Sequence, residues 1–168
     1  DKLFFLLFFL FPQISQATVS ILSWEENTNL TSSGKNSEII IRGQVKNIAS
    51  NEFLSSFTIG FDNQRDMKIT KAFCDYKPAN YSFKDNALNV RFTENKGNNS
   101  TFVLYLSYEE KYKEINEFLR QELIYIPNFA AKSKAKVVIN FPGYLESATL
   151  NPNITKSGNS FIYVNNNI

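Results

Sequence analysis

Few residues of this chain have side chains that commonly do chemistry, and their spacing selects no familiar reaction. The sequence contains no histidine and a single cysteine, Cys74. Without histidine, neither Ser-His-Asp nor Cys-His catalysis can be built within the chain, and histidine-based metal sites are excluded as well. A single cysteine forms no internal disulfide. We interpret Cys74 as a small buried residue at a strand end, with a reactive thiol or an intermolecular bridge as the alternatives.

The acidic residues point to no catalytic pair. Glu25 and Glu26 are adjacent, and neighbours in a strand point to opposite faces, so the pair is interpreted as part of a solvated loop. The segment Asp62 to Asp66 matches a calcium loop poorly, and no glycine-rich phosphate loop is present. A hydrolase that uses two distant carboxylates is the remaining enzymatic alternative, although nothing selects a pair. The sequence therefore predicts no catalytic residue, no cofactor and no metal ligand.

Tyrosine is the most frequent side chain with both an apolar ring and a polar tip, at eight copies. Such rings are favoured half-buried in sheets and at interfaces. We predict a surface for a protein partner formed by Tyr105, Tyr108, Tyr112 and Tyr125. The alternative is a carbohydrate-binding or surface-binding adhesin module, in which exposed tyrosines cluster on one sheet face to stack against sugars. That platform would draw on Tyr76, Tyr81, Tyr105, Tyr108 and Tyr125.

The elements that must position these residues are short strands. Apolar and polar residues alternate in a series of segments separated by turn residues at a spacing of about ten, as in an antiparallel sandwich. The predicted strands are centred on 19–24, 39–45, 57–61, 67–73, 81–83, 88–92, 102–106, 123–126, 136–141, 145–150 and 161–164, with a polar loop at 25–37. The segment Leu123 to Ile126 is apolar on both faces and has to be covered on both sides, which indicates two layers.

One segment departs from the strand pattern. Tyr112, Ile115, Phe118 and Leu119 lie at helical spacing, and acidic residues precede Arg120 as the helix dipole prefers. We predict one short amphipathic helix over Glu109 to Gln121. The fold class is therefore all-β, mainly an antiparallel, immunoglobulin-like β-sandwich, with one helix.

Residues 1–17 have the pattern of a secretory signal peptide. Lys2 precedes the apolar run Leu3 to Phe11, and Ser15-Gln16-Ala17 supplies small residues at the positions that suit cleavage between Ala17 and Thr18. As a helix the run rises only about 13 Å, short of a hydrocarbon core of about 30 Å, so no stable membrane anchor is expected after cleavage. We predict a secreted or periplasmic protein with a single domain over 18–168. The net charge of +2 argues against nucleic acid.

The segment from Tyr105 to Val164 carries a family resemblance. It contains Tyr125-Ile126-Pro127, a strand over Lys136 to Phe141, and Pro142-Gly143 leading to a further strand. In these features it resembles the N-terminal β-sandwich domain of secreted bacterial transglutaminase-like proteins, over about a third of the chain. The resemblance implies a non-catalytic accessory module, since in such proteins the catalytic residues lie in a following domain. We therefore expect an interaction or support module for an adjacent domain or protein partner, and not an enzyme.

Overall fold

The computed structural model describes residues 18–31, 33–61, 66–111, 114–116, 119–120, 134–141 and 154–166. All regular elements assigned within these ranges are strands. They are β1 (Thr18–Leu30), β2 (Gly34–Lys46), β3 (Leu54–Gly60), β4 (Met67–Cys74), β5 (Lys77–Pro78), β6 (Asn80–Lys84), β7 (Ala87–Lys96), β8 (Thr101–Lys111), β9 (Glu114–Asn116), β10 (Leu119–Arg120), β11 (Lys134–Asn140), β12 (Ile154–Ser157) and β13 (Ser160–Asn165).

Eight of these strands form one large sheet in the order β12-β13-β11-β1-β2-β8-β4-β5. A smaller sheet has the order β3-β7-β6, and β9 pairs with β10 in a short ribbon. β1 and β11 are paired in parallel, and the other pairs of the large sheet are antiparallel. The three longest strands, β1, β2 and β8, lie side by side and form the middle of the large sheet.

The small sheet packs on one face of the large sheet through aromatic rings. The ring of Phe102 on β8 lies 4.7 Å from that of Phe57 on β3 and 5.2 Å from that of Phe92 on β7, measured between centroids. Because side chains alternate along a strand, every second residue of β2 and β8 points into this core. We call this face of the large sheet the inner face and the opposite one the outer face. Ile41, Leu104 and Leu106 on the inner face have no solvent exposure.

The polar loop predicted for residues 25–37 is wrong. β1 continues to Leu30, and β2 begins at Gly34 after a tight connection in which Thr31 N–H donates to the Gly34 carbonyl at 2.8 Å. Glu25 is exposed on the outer face and Glu26 is buried on the inner face. Strand pairing on both sides of β1 supplies backbone hydrogen bonds that outweigh the low strand propensity of this polar segment.

The helix predicted for Glu109 to Gln121 is also wrong for the part of it that the structure describes. Glu109 to Lys111 extend β8, and the segments 114–116 and 119–120 are short strands. β8 is paired with β2 through Lys111 and with β4 through Glu110, so its end has partners on both sides. The helical spacing of Tyr112, Ile115, Phe118 and Leu119 is a weak local preference, and the pairing of β8 overrides it over Glu109 to Lys111.

Most of the other predicted strands are confirmed. The segments predicted at 39–45, 57–61, 67–73, 81–83, 88–92, 102–106, 136–141 and 161–164 correspond to β2, β3, β4, β6, β7, β8, β11 and β13. The turn between β6 and β7 is formed by Asp85 and Asn86, both with positive φ (50° and 54°), as a two-residue hairpin requires. The predicted signal peptide, and the strands predicted at 123–126 and 145–150, lie outside the described residues.

The described structure is thus all-β and is built on two main sheets, as the sequence predicts at this level. The immunoglobulin-like arrangement of the sheets stays a prediction. None of the described residues belongs to a helix with the length and apolar character needed to cross a membrane.

Candidate functional site

A polar cluster lies on the inner face, within a core that is otherwise apolar. Strand register places Thr28, Ser37 and Tyr108 in one row across β1, β2 and β8. Glu26 lies two residues before Thr28 on the same face of β1, and Trp24 two residues before that. All five side chains are buried. We refer to these five residues as the buried polar cluster.

Glu26 is the centre of this cluster. Its Oε1 accepts hydrogen bonds from the Tyr108 hydroxyl at 2.5 Å and from the Thr28 hydroxyl at 3.4 Å. Its Oε2 accepts from the Trp24 indole Nε1 at 3.1 Å. Thr28 and Ser37 share a hydrogen bond of 2.6 Å between their hydroxyl oxygens. Burying a carboxylate is costly unless it is hydrogen-bonded, and here donors from two strands bond to both of its oxygens.

A buried ion pair continues the polar character toward the end of the sheet. Lys35 on β2 lies directly opposite Glu110 on β8, and its Nζ is 3.5 Å from Glu110 Oε2. Both side chains are below 10% exposure, at 9% and 7%. They line a cleft of about 560 Å³ with residues of both signs of charge. These are Asp66, Lys68, Glu109 and Lys111. Charges of both signs give this cleft no preference for one class of ligand.

The buried polar cluster has the geometry of a structural network. The hydrogen bonds of Glu26 come from neighbouring protein groups, and its side chain is 8% exposed. Among the described residues, no group of three or more His, Cys, Asp or Glu side chains could hold a metal ion. The cluster therefore fixes three strands relative to one another and places no free acid or base at a reaction site.

A groove of about 280 Å³ lies on the opposite, outer face of the large sheet. We call it the outer groove. It is lined by Ile40, Arg42, Phe73, Tyr76, Val103 and Tyr105. The rings of Phe73 and Tyr105 meet edge to face with centroids 6.2 Å apart. The Tyr105 hydroxyl donates to Glu38 Oε1 at 2.8 Å and accepts from the Ser107 hydroxyl at 3.3 Å.

The structure separates the tyrosines that the sequence pattern groups together. Tyr105 and Tyr108 belong to opposite faces of β8, and Tyr108 is only 2% exposed, so the two do not share a surface. Tyr112 and Tyr125 lie outside the described residues, and Ala17 does as well, while Thr18 is the first residue of β1. Of the remaining candidates for a sugar platform, Tyr76 lines the outer groove with 85% exposure, and Tyr81 lies on the small sheet.

Sequence reasoning missed both the centre of the cluster and the charged residue of the groove. The signal for Glu26 was present, because Trp24, Glu26 and Thr28 continue the alternation that begins before them. Arg42 lies in a predicted strand on the face opposite Ile39 and Ile41, a position that by itself indicates only a solvated side chain. The aromatic neighbours of Arg42 come from other strands, so no local pattern could assign it to a groove.

Cys74 is at the end of β4 and is 1% exposed, as predicted for a small buried residue. Burial raises the pKa of its thiol from the ordinary value of 9.0 to about 11, and the neighbouring Asp75 adds to the rise while Lys96 opposes it. A thiol in this environment stays protonated at neutral pH, so it is a poor nucleophile.

The comparisons with known proteins give a fold and no family. Neither the protein-family profiles nor the sequences of the curated proteins match this chain. Solved structures do match in three dimensions. An M1 zinc metallopeptidase from Deinococcus radiodurans aligns over 92% of this chain with a TM-score of 0.57 and 12% sequence identity. A mutant of a two-domain M1 zinc metallopeptidase bound to L-arginine gives the same TM-score at 11% identity.

Leukotriene A4 hydrolase from Saccharomyces cerevisiae aligns over 87% of this chain with a TM-score of 0.53 and 10% identity. The aligned part is 40% of the length of the M1 metallopeptidases and 26% of that of the hydrolase. This chain therefore shares the fold of a portion of these longer proteins. At such identities the likeness concerns the fold alone and transfers no residue role.

Proposed function

We propose that this chain is a non-catalytic β module that supports an adjacent domain or binds a protein partner. The observation that carries the proposal is the fold likeness, because nearly the whole chain aligns with less than half of a two-domain enzyme. A unit of this kind is an accessory part of a larger assembly. Function resides in sites and not in folds, so the activity of those enzymes does not come with the likeness.

The chemistry of the chain supports an accessory role. The sequence has no histidine, the residue that most often binds zinc or acts as a general base. In the described part of the chain, the buried acid Glu26 is held by Trp24 and Tyr108, and the thiol of Cys74 is buried and protonated. Glu26 and Cys74, which the sequence analysis considered for chemistry, are thus both enclosed by the protein core.

Two likenesses suggest different neighbours for the module. The sequence resemblance over Tyr105 to Val164 predicts a transglutaminase-like domain, and the fold likeness points to a metallopeptidase domain. Both neighbours are enzymes, and in both arrangements this chain contributes no catalytic residue. The identity of the neighbour is thus an experimental question that does not change the proposed role.

The test is to identify what accompanies the module in its native source. The native sample is separated by size under denaturing conditions, which report the length of the polypeptide, and under native conditions, which report the size of any complex. Mass spectrometry then locates the peptides of this chain in each separation. We expect them either in a polypeptide with a further folded domain or in a complex of defined stoichiometry. The purified chain, assayed with zinc against aminoacyl naphthylamides and with glutamine-donor peptides, should give no turnover above the blank. An enzymatic activity that co-purifies with the isolated chain to constant specific activity would overturn the proposal.

Export through a signal peptide is the second part of the proposal. Cleavage between Ala17 and Thr18 would leave β1 whole, since Thr18 already pairs with Lys46 and its hydroxyl accepts a hydrogen bond from Asn47 Nδ2 at 3.0 Å. N-terminal sequencing of the exported protein is expected to begin at Thr18. A native protein that remains in the cytoplasm with residues 1–17 attached would contradict export.

A further inference from the structure

We propose that the outer groove binds a small ligand made of one aromatic ring and a carboxylate, with the ring between aromatic side chains and the carboxylate on Arg42. The site lies on the outer face, away from the buried polar cluster on the inner face. It is independent of the accessory role proposed above and of any catalytic neighbour.

The walls of the groove suit a flat apolar group. Its lining includes Ile40 of β2, Val103 of β8 and three rings, those of Phe73, Tyr76 and Tyr105. Phe73 is 36% exposed and Tyr76 is 85% exposed, although apolar area is normally removed from water. At about 280 Å³ the groove is close to the lower limit of about 300 Å³ for small-molecule sites. The space matches a ligand with a single ring.

Arg42 supplies the charge that selects the other end of the ligand. It lies opposite Ser23 on β1 and Val103 on β8, neither of which is charged. Within the described residues Arg42 takes part in no ion pair and no side-chain hydrogen bond. The nearest acid on the same face by register is Glu25, in a diagonal position. A guanidinium at the edge of an apolar groove favours a planar carboxylate, which it can bind through two parallel hydrogen bonds.

The turn that carries Tyr76 is held in one conformation by several contacts. Asp75 and Tyr76 have positive φ values of 49° and 64°, a conformation that a bulky residue such as tyrosine rarely adopts. Three contacts fix Asp75. Its N–H donates to the Val103 carbonyl at 2.8 Å, and its Oδ1 accepts from the Val103 N–H at 3.0 Å. Its carboxylate also forms an ion pair with Lys96. The turn is a two-residue hairpin between Cys74 and Lys77, which requires positive φ at both of its positions. It holds the exposed ring of Tyr76 against the other residues of the outer groove.

An uncharged sugar fits these observations less well. Sugar sites combine one stacking ring with several polar groups that hydrogen-bond the hydroxyls. The Tyr105 hydroxyl is already engaged with Glu38 and Ser107. A ligand with one anionic group and one apolar ring can pair with Arg42 and pack against the aromatic lining of the groove.

The experiment is a titration of the ¹⁵N-labelled full chain with 3-phenylpropionate, followed by the amide signals of Val103, Tyr76 and their neighbours. The matched probe is 3-phenylpropionamide, which keeps the ring and removes the charge. We expect saturable shifts at the groove, with the acid binding about ten-fold more tightly than the amide. Methyl β-D-glucopyranoside, an uncharged sugar with one ring, is the third probe.

Two variants test the two halves of the site. Arg42→Gln should abolish the preference for the acid over the amide, while Arg91→Gln, at an exposed position of the small sheet, should not. Tyr76→Asn should weaken both aromatic probes about ten-fold, because it removes stacking area. Asparagine tolerates positive φ, so this variant should fold at least as stably as the parent. Phe53→Asn, which removes a ring that is 64% exposed outside the groove, is its control.

Three results would overturn the proposal. The first is no saturable shift at the groove up to the solubility limit of 3-phenylpropionate. The second is equal affinity for the acid and the amide, or an acid preference that survives in Arg42→Gln. The third is tighter binding of the methyl glucoside than of the acid, which would make the groove a sugar site.

Discussion

The hydroxyl of Tyr108 donates a hydrogen bond of 2.5 Å to the carboxylate of Glu26, although 82 residues separate them in the chain. Glu26 is on β1 and Tyr108 on β8, with β2 between them. The bond therefore spans three strands across the inner face. It explains how an acidic residue is accommodated in the middle strands of an all-β core.

Tyr108→Phe tests how much this bond contributes to stability. The change removes the hydroxyl and keeps the ring, so the Glu26 carboxylate loses one of its donors while it stays buried. We expect the free energy of unfolding to fall by about 1–3 kcal/mol in urea denaturation. Tyr105→Phe is the control, because its hydrogen bond to Glu38 is exposed and water can replace it. Equal losses in the two variants would contradict a special role for the buried polar cluster.

The buried ion pair of Lys35 and Glu110 makes a second prediction. Lys35→Met and Glu110→Leu each break this ion pair while the other charge stays buried, and each should cost about 3–5 kcal/mol. The double variant should be more stable than either single variant, since no charge is left. The exposed pair of Lys77 and Glu94, with 61% and 82% exposure, provides the comparison, and its disruption should cost less than about 1 kcal/mol. Additive losses in the Lys35 and Glu110 double variant would show that the two charges do not interact.

A third prediction concerns Gly43, which lies under the ring of Phe102. A Cβ at this position would overlap the end of that ring, so Gly43→Ala must displace a core side chain. We expect a loss of about 1–3 kcal/mol, measured by thermal or urea unfolding. Gly60→Ala is the matched control, because a Cβ there meets nothing within 4 Å and the variant should be as stable as the parent. A neutral Gly43→Ala would show that the ring moves without cost.

The thiol of Cys74 gives the fourth prediction. Its pKa in the folded protein is about 11, above the ordinary value of 9.0, so the folded state holds the proton more tightly than the unfolded state. The stability that the protonated thiol contributes is therefore complete below pH 9 and is lost as the pH rises toward 11. The free energy of unfolding falls in that range. Folded protein at about pH 8 should react slowly with a disulfide reagent, and protein in urea should react rapidly. Cys74→Ala should lack this part of the pH dependence, whereas fast labelling of the folded parent would exclude the buried thiol.

Local sequence pattern is sufficient to predict most of the strands. β7 alternates between apolar and polar residues along most of its length, and a strand with one buried face needs no more information than that. The turn at Asp85 and Asn86 is predictable for a similar reason, since these residue types tolerate positive φ. The absence of histidine, which is a property of composition alone, also limits the chemistry that the chain can perform.

Only the tertiary structure decides the places where polar residues are buried. Glu26 resembles a loop residue in the sequence because its partner Tyr108 is distant along the chain, and Glu110 resembles a helical residue because its partner Lys35 is on another strand. The outer groove depends in the same way on β2, β4 and β8 and on the turn at Tyr76, which meet only in the folded sheet. The alternation of side chains along a strand is a local property that the sequence determines. The neighbours across strands depend on register, and the folded sheet alone determines them.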